Sequence, residues 1–198
     1  MRRTNHREQS LIFIDVGRYL LAENLHVVVY ERRSEAGGVW NYTTIEDDFA
    51  TPIYDELETN VPRSMMTYSN FPWNRNTSLF PKHEVVKQYL ESYAAHLPIN
   101  YNTEVSNARQ IMVRRTLRWE ITTRSACSKE RTEVNHFDAM VVAAGNYDTI
   151  HEPVIEGLED WKSWYPGTVS HSKTYRRPSD FRDKARASMK PEAPLLTV

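Results

Sequence analysis

The sequence predicts an α/β fold in which a parallel sheet carries an antiparallel β insertion. A short apolar run at 11–14 and a predicted strand at 26–31, with its apolar run at 27–30, flank a stretch with helical spacing at 15–24. Strand, helix and strand in this order are typical of a parallel sheet, whose buried strands form nearly continuous apolar runs. A third run of this kind lies at 137–144, and shorter alternating runs at 99–124 indicate the antiparallel insertion.

The other elements follow from local patterns. Residues 84–97 carry one apolar stripe and stop at Pro98, which predicts a helix whose stripe packs in the core. Runs at 105–113 and 117–123, separated by three polar residues, predict a hairpin. The predicted organisation is a polar tail at 1–10, a partial domain at 11–183 with a long loop at 43–83 and the β insertion at 99–124, and a loose tail at 184–198.

Composition narrows the class of protein. The 198 residues suffice for one domain or for part of a larger protein, and the net charge of −1 gives no electrostatic reason to expect a nucleic-acid partner. The single cysteine, Cys127, excludes an internal disulfide and a multi-cysteine metal site, and we interpret it as an incidental surface thiol. The sequence has no apolar run of membrane-spanning length and no signal-peptide pattern, so we expect a cytoplasmic protein without a membrane segment.

The stretch 26–42 points to a dinucleotide. Glu31 ends an apolar strand pattern, and an acid in this place binds the ribose hydroxyls in doubly wound nucleotide-binding sheets. Gly37 and Gly38 follow shortly after and allow a close approach of the backbone to a ligand. The phosphate-binding turn G-x-G-x-x-G is absent from the sequence, since only Gly17 falls in that region.

Several separate stretches resemble one family. They are Val28-Val-Tyr-Glu-Arg-Arg, Gly37-Gly-Val-Trp, Leu57-Glu-Thr-Asn-Val-Pro-Arg, Tyr68-Ser-Asn-Phe-Pro, Phe80-Pro-Lys-His-Glu, Val141-Val-Ala-Ala-Gly and Tyr165-Pro-Gly-Thr-Val-Ser-His-Ser-Lys-Thr-Tyr. Together they resemble the N-terminal, FAD-binding portion of flavin-containing monooxygenases, most closely the fungal members. The resemblance implies an incomplete FAD/NAD(P)-binding, Rossmann-like sheet, with FAD and NADPH as cofactors and a small molecule as substrate. It also implies a truncated chain, since the family's NADPH-binding segment has no counterpart after Lys184.

The resemblance assigns roles to individual residues. Asn60 matches an asparagine close to the reacting flavin edge and is the candidate catalytic residue. Gly167, His171 and Tyr175 match the family fingerprint F-x-G-x-x-x-H-x-x-x-(Y/F), with Tyr165 in place of the leading Phe. The candidate cofactor-binding residues are Glu31, Gly38, Val39, Trp40, Thr59, Asn60, Val61, Ala144 and Gly145.

Other interpretations of these residues stay open. Without the resemblance, Glu31 among arginines is more typical of a solvated acid. Trp40 is also typical of a core residue, and Asn60 of a turn former. The first hypothesis is an oxygenase of soft nitrogen or sulfur nucleophiles, impaired in this chain. A Baeyer–Villiger monooxygenase is disfavoured by Tyr175, where the related fingerprint ends in Trp. A truncated, non-catalytic remnant that binds no FAD is the main alternative, and an interaction module built from aromatic loops has little support. The sequence leaves the oligomeric state unknown.

Overall fold

The computed structural model describes residues 12–44, 50–128, 132–145 and 150–182. The predicted tails at 1–10 and 184–198 lie outside these residues. The helices and strands, in chain order, are α1 (Ile12–Ala22), β1 (Val29–Tyr30), α2 (His83–Ala94), β2 (Ile99–Asn100), β3 (Thr103–Val113), β4 (Thr116–Ser125), β5 (Thr132–Phe137) and α3 (Leu158–Trp164).

The strands form two sheets of opposite kinds. β1 and β2 pair in parallel, with Val29 opposite Ile99 and Tyr30 opposite Asn100. β3, β4 and β5 form an antiparallel sheet in that order. A parallel pair together with an antiparallel meander confirms the predicted α/β class with a β insertion.

The predicted hairpin is confirmed, and its turn has a clear cause. Arg114 and Arg115 join β3 to β4 with φ angles of 47° and 68°. Two consecutive left-handed residues match the right-handed twist of the strands they connect. The insertion extends beyond 99–124, because β5 adds a third strand that polar residues had obscured in the sequence.

The predicted strand at 11–14 is wrong. Within its described part, residues 12–14 form the first turn of α1. Ile14 and Leu21 share one helix face with Gly17, at helical spacing, and this face packs on α2 and the residues that follow it. A Cβ on Gly17 would lie 3.0 Å from Cδ2 of Leu97, so the glycine lets the helix approach closely. The short apolar run belongs to a helix face, which a four-residue window cannot distinguish from a buried strand.

The predicted strand at 137–144 is also wrong. β5 ends at Phe137, where its pairing with Trp119 of β4 ends, and residues 139–145 carry no regular secondary structure. Val141 and Val142 are each 57% exposed. The apolar run therefore has strand composition but finds no strand partner among the described residues.

The core forms around α2, as the apolar stripe predicted. Tyr93, Ala94 and Leu97 pack with Ile14 and Ala36 in one cluster. A second cluster consists of Val86, Tyr89 and Leu90, with half-buried aromatic residues against it. The helix ends at Ala94, slightly before the predicted boundary, and Leu97 packs from the turn beyond it.

The long loop at 43–83 is ordered by aromatic packing and by single bridges. Tyr68 stacks on Tyr93 with 4.1 Å between ring centroids, and Trp73 stacks on Tyr89 with 3.8 Å. An isolated antiparallel bridge joins Glu58, in the first half of this region, to Lys82 near its end. In its described part, the loop has one short 3-10 helix, Arg63–Met66, before α2 begins at its last residue. The loop is thus held against α2 by rings rather than by a sheet.

Candidate functional site

Glu31 lies directly after β1 and is almost fully buried. Its backbone N–H donates to the carbonyl of Asn100, and its carbonyl accepts from the N–H of Thr103, so the chain on both sides is fixed. The residue is only 2% exposed. Oε1 of its carboxylate accepts the backbone N–H of Arg33 at 2.6 Å, whereas Oε2 is buried and finds no hydrogen-bond partner in the described part of the chain. One carboxylate oxygen is therefore satisfied and the other is not.

The environment of Glu31 favours the neutral carboxyl group. Burial raises its pKa from 4.5 to about 7, against the opposing effects of the Arg33 N–H, of the positive charges on Arg33 and Arg32 and, least of all, of the Arg32 N–H. Desolvation thus outweighs two nearby cations. A donor that reached Oε2 would favour the ionised form and lower this pKa.

The turn after Glu31 depends on two glycines. Gly37 has φ 122° and Gly38 has φ 54°, both in the region that glycine adopts most readily. A Cβ on Gly37 would lie 2.6 Å from Oδ1 of Asn41, so a larger residue would collide there. Gly38 is buried and begins the 3-10 helix Gly38–Trp40.

Val39 and Trp40 are half-buried in this short helix. Trp40 packs against the cluster of Val86, Tyr89 and Leu90 on α2. The structure therefore gives Trp40 a core contact, which was the alternative to a flavin contact. A packing role and a cofactor role are compatible, because one face of a large ring can pack while its edge is partly exposed.

A cavity of about 240 Å³ opens beside the turn that follows Glu31. Its wall is formed by the turn at 32–35, the segment 41–43, Asn102 just before β3, and Ala126 and Cys127 just after β4. The lining residues include Arg32, Arg33, Asn41, Thr43, Asn102 and Cys127.

Thr59, Asn60 and Val61 lie in the long loop. Thr59 is buried, and its hydroxyl donates to the carbonyl of Val61 at 2.9 Å. Its backbone N–H donates to the carbonyl of Pro81. Asn60 and Val61 are exposed. Thr59 therefore holds the loop in place and presents Asn60 to solvent, outside the cavity beside Glu31.

Ala144 and Gly145 are half-buried at the end of the segment 139–145. Their neighbour Ala143 packs on the cluster that contains Ile14 of α1. Gly145 has φ 75°, a left-handed conformation that suits glycine. This segment therefore ends against the core cluster of Ile14, Ala36, Tyr93, Ala94 and Leu97.

The fingerprint segment contains one buried charge that the sequence did not reveal. Arg176 is 4% exposed, and its guanidinium donates to the carbonyls of Thr43, Lys173 and Tyr175. Through its bond to Thr43, the arginine thereby holds the fingerprint segment against the chain just after the Gly-Gly turn. As one of two adjacent arginines, it looks like a surface residue in the sequence.

The other fingerprint residues have local contacts. Nδ1 of His171 accepts the backbone N–H of Lys173 at 3.1 Å, and Gly167 has φ 76°. Tyr175 packs edge-to-face on Tyr54, with 5.3 Å between the ring centroids. These contacts are all local packing or backbone contacts.

Among the described residues, no group of three or more His, Cys, Asp or Glu side chains could hold a metal ion. In the same part of the chain, no helix is both long and apolar enough to cross a membrane.

A family described as "Flavin-binding monooxygenase-like" matches residues 14–188. The chain belongs to this family. The match covers the Glu31 turn, the long loop, the β insertion and the fingerprint segment, and it confirms the family predicted from the sequence.

Curated relatives agree with the family. The chain is 31% identical to flavin-containing monooxygenase FMO GS-OX5 of Arabidopsis thaliana, over 84% of this chain and 39% of the relative. It is 32% identical to dimethylaniline monooxygenase [N-oxide-forming] 4 of Mus musculus, over 83% of this chain and 29% of the relative. It is 31% identical to flavin-containing monooxygenase ustF1 of Aspergillus flavus, over 84% and 42% respectively. The chain thus spans less than half the length of these relatives.

A solved structure shares the fold. A mutant of the flavin monooxygenase from Stenotrophomonas maltophilia superposes with a TM-score of 0.67, over 87% of this chain and 45% of that chain. At 19% identity this likeness concerns the fold alone. It confirms the predicted FAD/NAD(P)-binding type of α/β fold.

Within this family member, the structure brings the candidate residues together only in part. Glu31 and Gly38 lie around one turn, and Arg33 links the buried carboxylate to the cavity wall. Asn60 lies elsewhere, on the exposed loop. The cofactor and catalytic roles of all these residues remain predictions. Sequence reasoning missed Asn41, whose burial follows from its packing against Gly37.

Proposed function

We propose that this chain carries the adenosine-ribose half of an FAD site. We further propose that the protein to which it belongs oxygenates soft nitrogen or sulfur nucleophiles of small molecules, with NADPH and O₂. The observation that carries the proposal is Oε2 of Glu31, which is buried and has no hydrogen-bond partner within the described residues. A small-molecule substrate and a cytoplasmic location remain predictions of the same account.

A ribose hydroxyl suits this oxygen. A buried acceptor without a donor costs about 1–3 kcal/mol, and more when the acceptor is charged. A hydroxyl that donates to Oε2 removes this cost and forms a short, charge-assisted hydrogen bond. Because Arg33 already occupies Oε1, the carboxylate is oriented before a ligand arrives.

The other candidate residues complete the proposal. Bound flavin would supply the oxygen-activating chemistry, and the protein would position it and exclude water. Asn60 suits a place near the reacting edge because an amide both donates and accepts hydrogen bonds without titrating. The remaining candidate contacts to the cofactor are Gly38, Val39, Trp40, Thr59, Val61, Ala144 and Gly145.

We expect FAD binding by this chain to be weak. The sequence contains no G-x-G-x-x-G turn, and such a turn supplies backbone N–H groups and a helix N-terminus to the pyrophosphate. Loss of the phosphate contacts removes much of the affinity for a dinucleotide while leaving the ribose contact.

A visible absorbance spectrum of the purified chain tests this expectation. We expect a colourless protein that takes up FAD only from excess free flavin, and no bleaching of the flavin on addition of NADPH. A yellow protein with stoichiometric flavin as purified would show that the affinity is high without the glycine-rich turn.

The alternative is a non-catalytic remnant that binds no FAD, and the missing turn favours it. The same preparation distinguishes the two. Equilibrium dialysis against excess FAD leaves flavin with the protein if the ribose half of the site is present. Equal flavin on both sides of the membrane would support the remnant and contradict our proposal.

A further inference from the structure

The hairpin of β3 and β4 ends in two arginines whose backbone is strained. Val113 pairs with Thr116, so the turn between them consists of Arg114 and Arg115 alone. Their φ angles of 47° and 68° lie in the left-handed region, where a Cβ is unfavourable and where asparagine and glycine are the usual residues of a two-residue turn. Asn-Gly would therefore make a more stable turn than Arg-Arg. Strain that a sequence retains in this way points to a function of the strained residues.

The two arginine side chains at this turn carry an uncompensated positive charge. Both are exposed, and neither forms an ion pair within the described part of the chain. The first acid of β4, Glu120, binds Arg109 at 2.6 Å, and Asp138, just after β5, binds Arg118 at 3.0 Å. Because the Debye length is about 10 Å at 0.1 M salt, the local charge acts on a nearby surface even though the whole chain has a net charge of −1.

An exposed apolar pair lies next to the turn. Met112 and Leu117 are opposite each other on the two strands and are 68% and 52% exposed. Leu117 shares a face of β4 with Trp119, two residues on, and Trp119 is opposite Phe137 of β5. The ring of Phe137 contacts that of Tyr30 in β1, with 6.2 Å between the centroids. The apolar face of the sheet is therefore packed at one end and exposed at the end of the hairpin.

Two cations beside an apolar pair suit the surface of an anionic lipid bilayer. Guanidinium groups form charge-assisted hydrogen bonds with lipid phosphate and carboxylate groups. Each arginine close to such a surface strengthens binding about fivefold. Apolar side chains gain from insertion at the boundary between head groups and acyl chains. A purely ionic partner such as a nucleic acid would use the arginines and leave the apolar pair exposed.

We propose that the end of this hairpin, residues 112–117, is a peripheral membrane contact that binds anionic phospholipid surfaces. Arg114 and Arg115 pair with the head groups, and Met112 and Leu117 insert between them. The contact is weak and reversible, because only two apolar side chains enter the bilayer surface. It is independent of the proposed function, since none of these residues belongs to the candidate cofactor site.

Co-flotation of the full chain with vesicles tests the proposal. Vesicles that mix phosphatidylcholine with phosphatidylserine are compared with vesicles of phosphatidylcholine alone. We expect the chain to float with the mixed vesicles at low salt, to be released as the salt concentration rises, and to stay behind with phosphatidylcholine alone. Equal flotation with both kinds of vesicle, or flotation with neither, would overturn the proposal.

Replacing the turn by the residues that its backbone prefers separates binding from folding. Arg114→Asn with Arg115→Gly removes both charges and relieves the strain. We expect this variant to melt no lower than the wild type and to bind mixed vesicles about thirtyfold more weakly. Arg114→Lys with Arg115→Lys keeps the charges and should stay within about threefold of the wild-type affinity. The control, Arg75→Gln with Arg182→Gln, removes the same charge from two exposed positions elsewhere and should bind like the wild type.

A second pair of substitutions tests the apolar half of the contact. Met112→Ser with Leu117→Thr changes two exposed side chains and is expected to weaken binding to mixed vesicles about tenfold or more. Leu79→Thr, at a leucine that is 57% exposed, is the control and should bind like the wild type.

Three outcomes with these variants would overturn the proposal. The first is wild-type affinity in the folded Asn-Gly variant. The second is an equal loss of affinity in the Arg75 and Arg182 control, which would make the attraction unspecific. The third is a loss that follows the arginines but not Met112 and Leu117, which would assign the turn to an ionic contact with an acidic macromolecule.

Discussion

The backbone N–H of Arg33 donates to Oε1 of Glu31 across 2.6 Å, while Oε2 of the same carboxylate is buried and meets no partner in the described part of the chain. The turn that begins at Glu31 therefore fixes the acid and leaves one oxygen unsatisfied. Burial keeps the pKa of this carboxyl at about 7, well above the 4.5 of an exposed glutamate.

The raised pKa makes the stability of the ligand-free chain depend on pH. The folded state holds the Glu31 proton up to about pH 7, whereas the unfolded state loses it near pH 4.5. The stability that Glu31 contributes is therefore fully present below about pH 4.5 and is lost as the pH rises through about 7. The free energy of unfolding falls by up to about 3 kcal/mol over this range. We expect Glu31→Gln to remove this part of the pH dependence, measured as the difference between variant and wild-type unfolding free energies in urea. Glu58→Gln, at an exposed glutamate, is the control. If the difference in unfolding free energy between Glu31→Gln and the wild type stayed the same from pH 4.5 to pH 8, the raised pKa would be contradicted.

Gly37→Ala is expected to destabilise the chain by at least about 2 kcal/mol. The substitution forces a side chain into a backbone with φ 122° and brings its Cβ within 2.6 Å of Asn41. Gly167→Ala is the matched control, since Gly167 also has a positive φ, 76°, but nothing lies within 4 Å of the point that a Cβ there would occupy. We expect the control to lose about 1 kcal/mol from backbone strain alone. Equal losses in urea denaturation would show that the collision with Asn41 is not a constraint.

Tyr93→Phe tests the link between the two long helices. The Tyr93 hydroxyl donates to Oδ1 of Asp15 at 2.7 Å, in a residue that is only 2% exposed. Burial and the bond to Asp15 both raise the pKa of this hydroxyl. Loss of a hydrogen bond to a carboxylate is expected to cost about 1.5–3 kcal/mol in thermal or chemical unfolding. Tyr19→Phe changes a 56% exposed tyrosine and should stay within about 0.5 kcal/mol; a similar loss in both variants would be evidence against the α1–α2 contact.

Arg176→Ala is expected to cost about 3 kcal/mol and to loosen the fingerprint segment. The guanidinium donates to the carbonyls of Thr43, Lys173 and Tyr175. Its removal takes this donor away from all three carbonyls. Hydrogen exchange of the segment 170–177 should rise in the variant. The neighbouring Arg177 has a 61% exposed side chain paired with Asp180, so Arg177→Ala should change the unfolding free energy by less than about 0.5 kcal/mol. If the two variants were equally stable, Arg176 would not be the anchor.

Local patterns predicted the elements that depend on local physics. The helix α2 followed from one apolar stripe and a proline, and the hairpin of β3 and β4 from two alternating runs around Arg114 and Arg115. The strand predicted at 11–14 failed because its apolar residues serve a helix face that packs on Leu97, far along the chain. The strand predicted at 137–144 failed because a strand also requires a neighbour, which composition alone does not supply.

The candidate site likewise has one part that the sequence predicted and one part that only the folded chain reveals. Glu31 and the glycines were predicted from their order after an apolar run, and the structure places them around one turn. The buried amide of Asn41 and the buried charge of Arg176 depend on contacts with Gly37 and Thr43 that only the folded chain brings together. Neither residue has a sequence pattern that distinguishes it from a surface polar residue.

Titration of the full chain with FAD, followed by the quenching of flavin fluorescence, tests the ribose contact most directly. The comparison is between wild type, Glu31→Gln and the control Glu58→Gln at about pH 8, where a carboxyl with a pKa of about 7 is mostly ionised. The account predicts weak binding by the wild type and the control, and a Kd about tenfold or more higher for Glu31→Gln, since one charge-assisted hydrogen bond is lost. The same Kd in wild type and folded Glu31→Gln would contradict it.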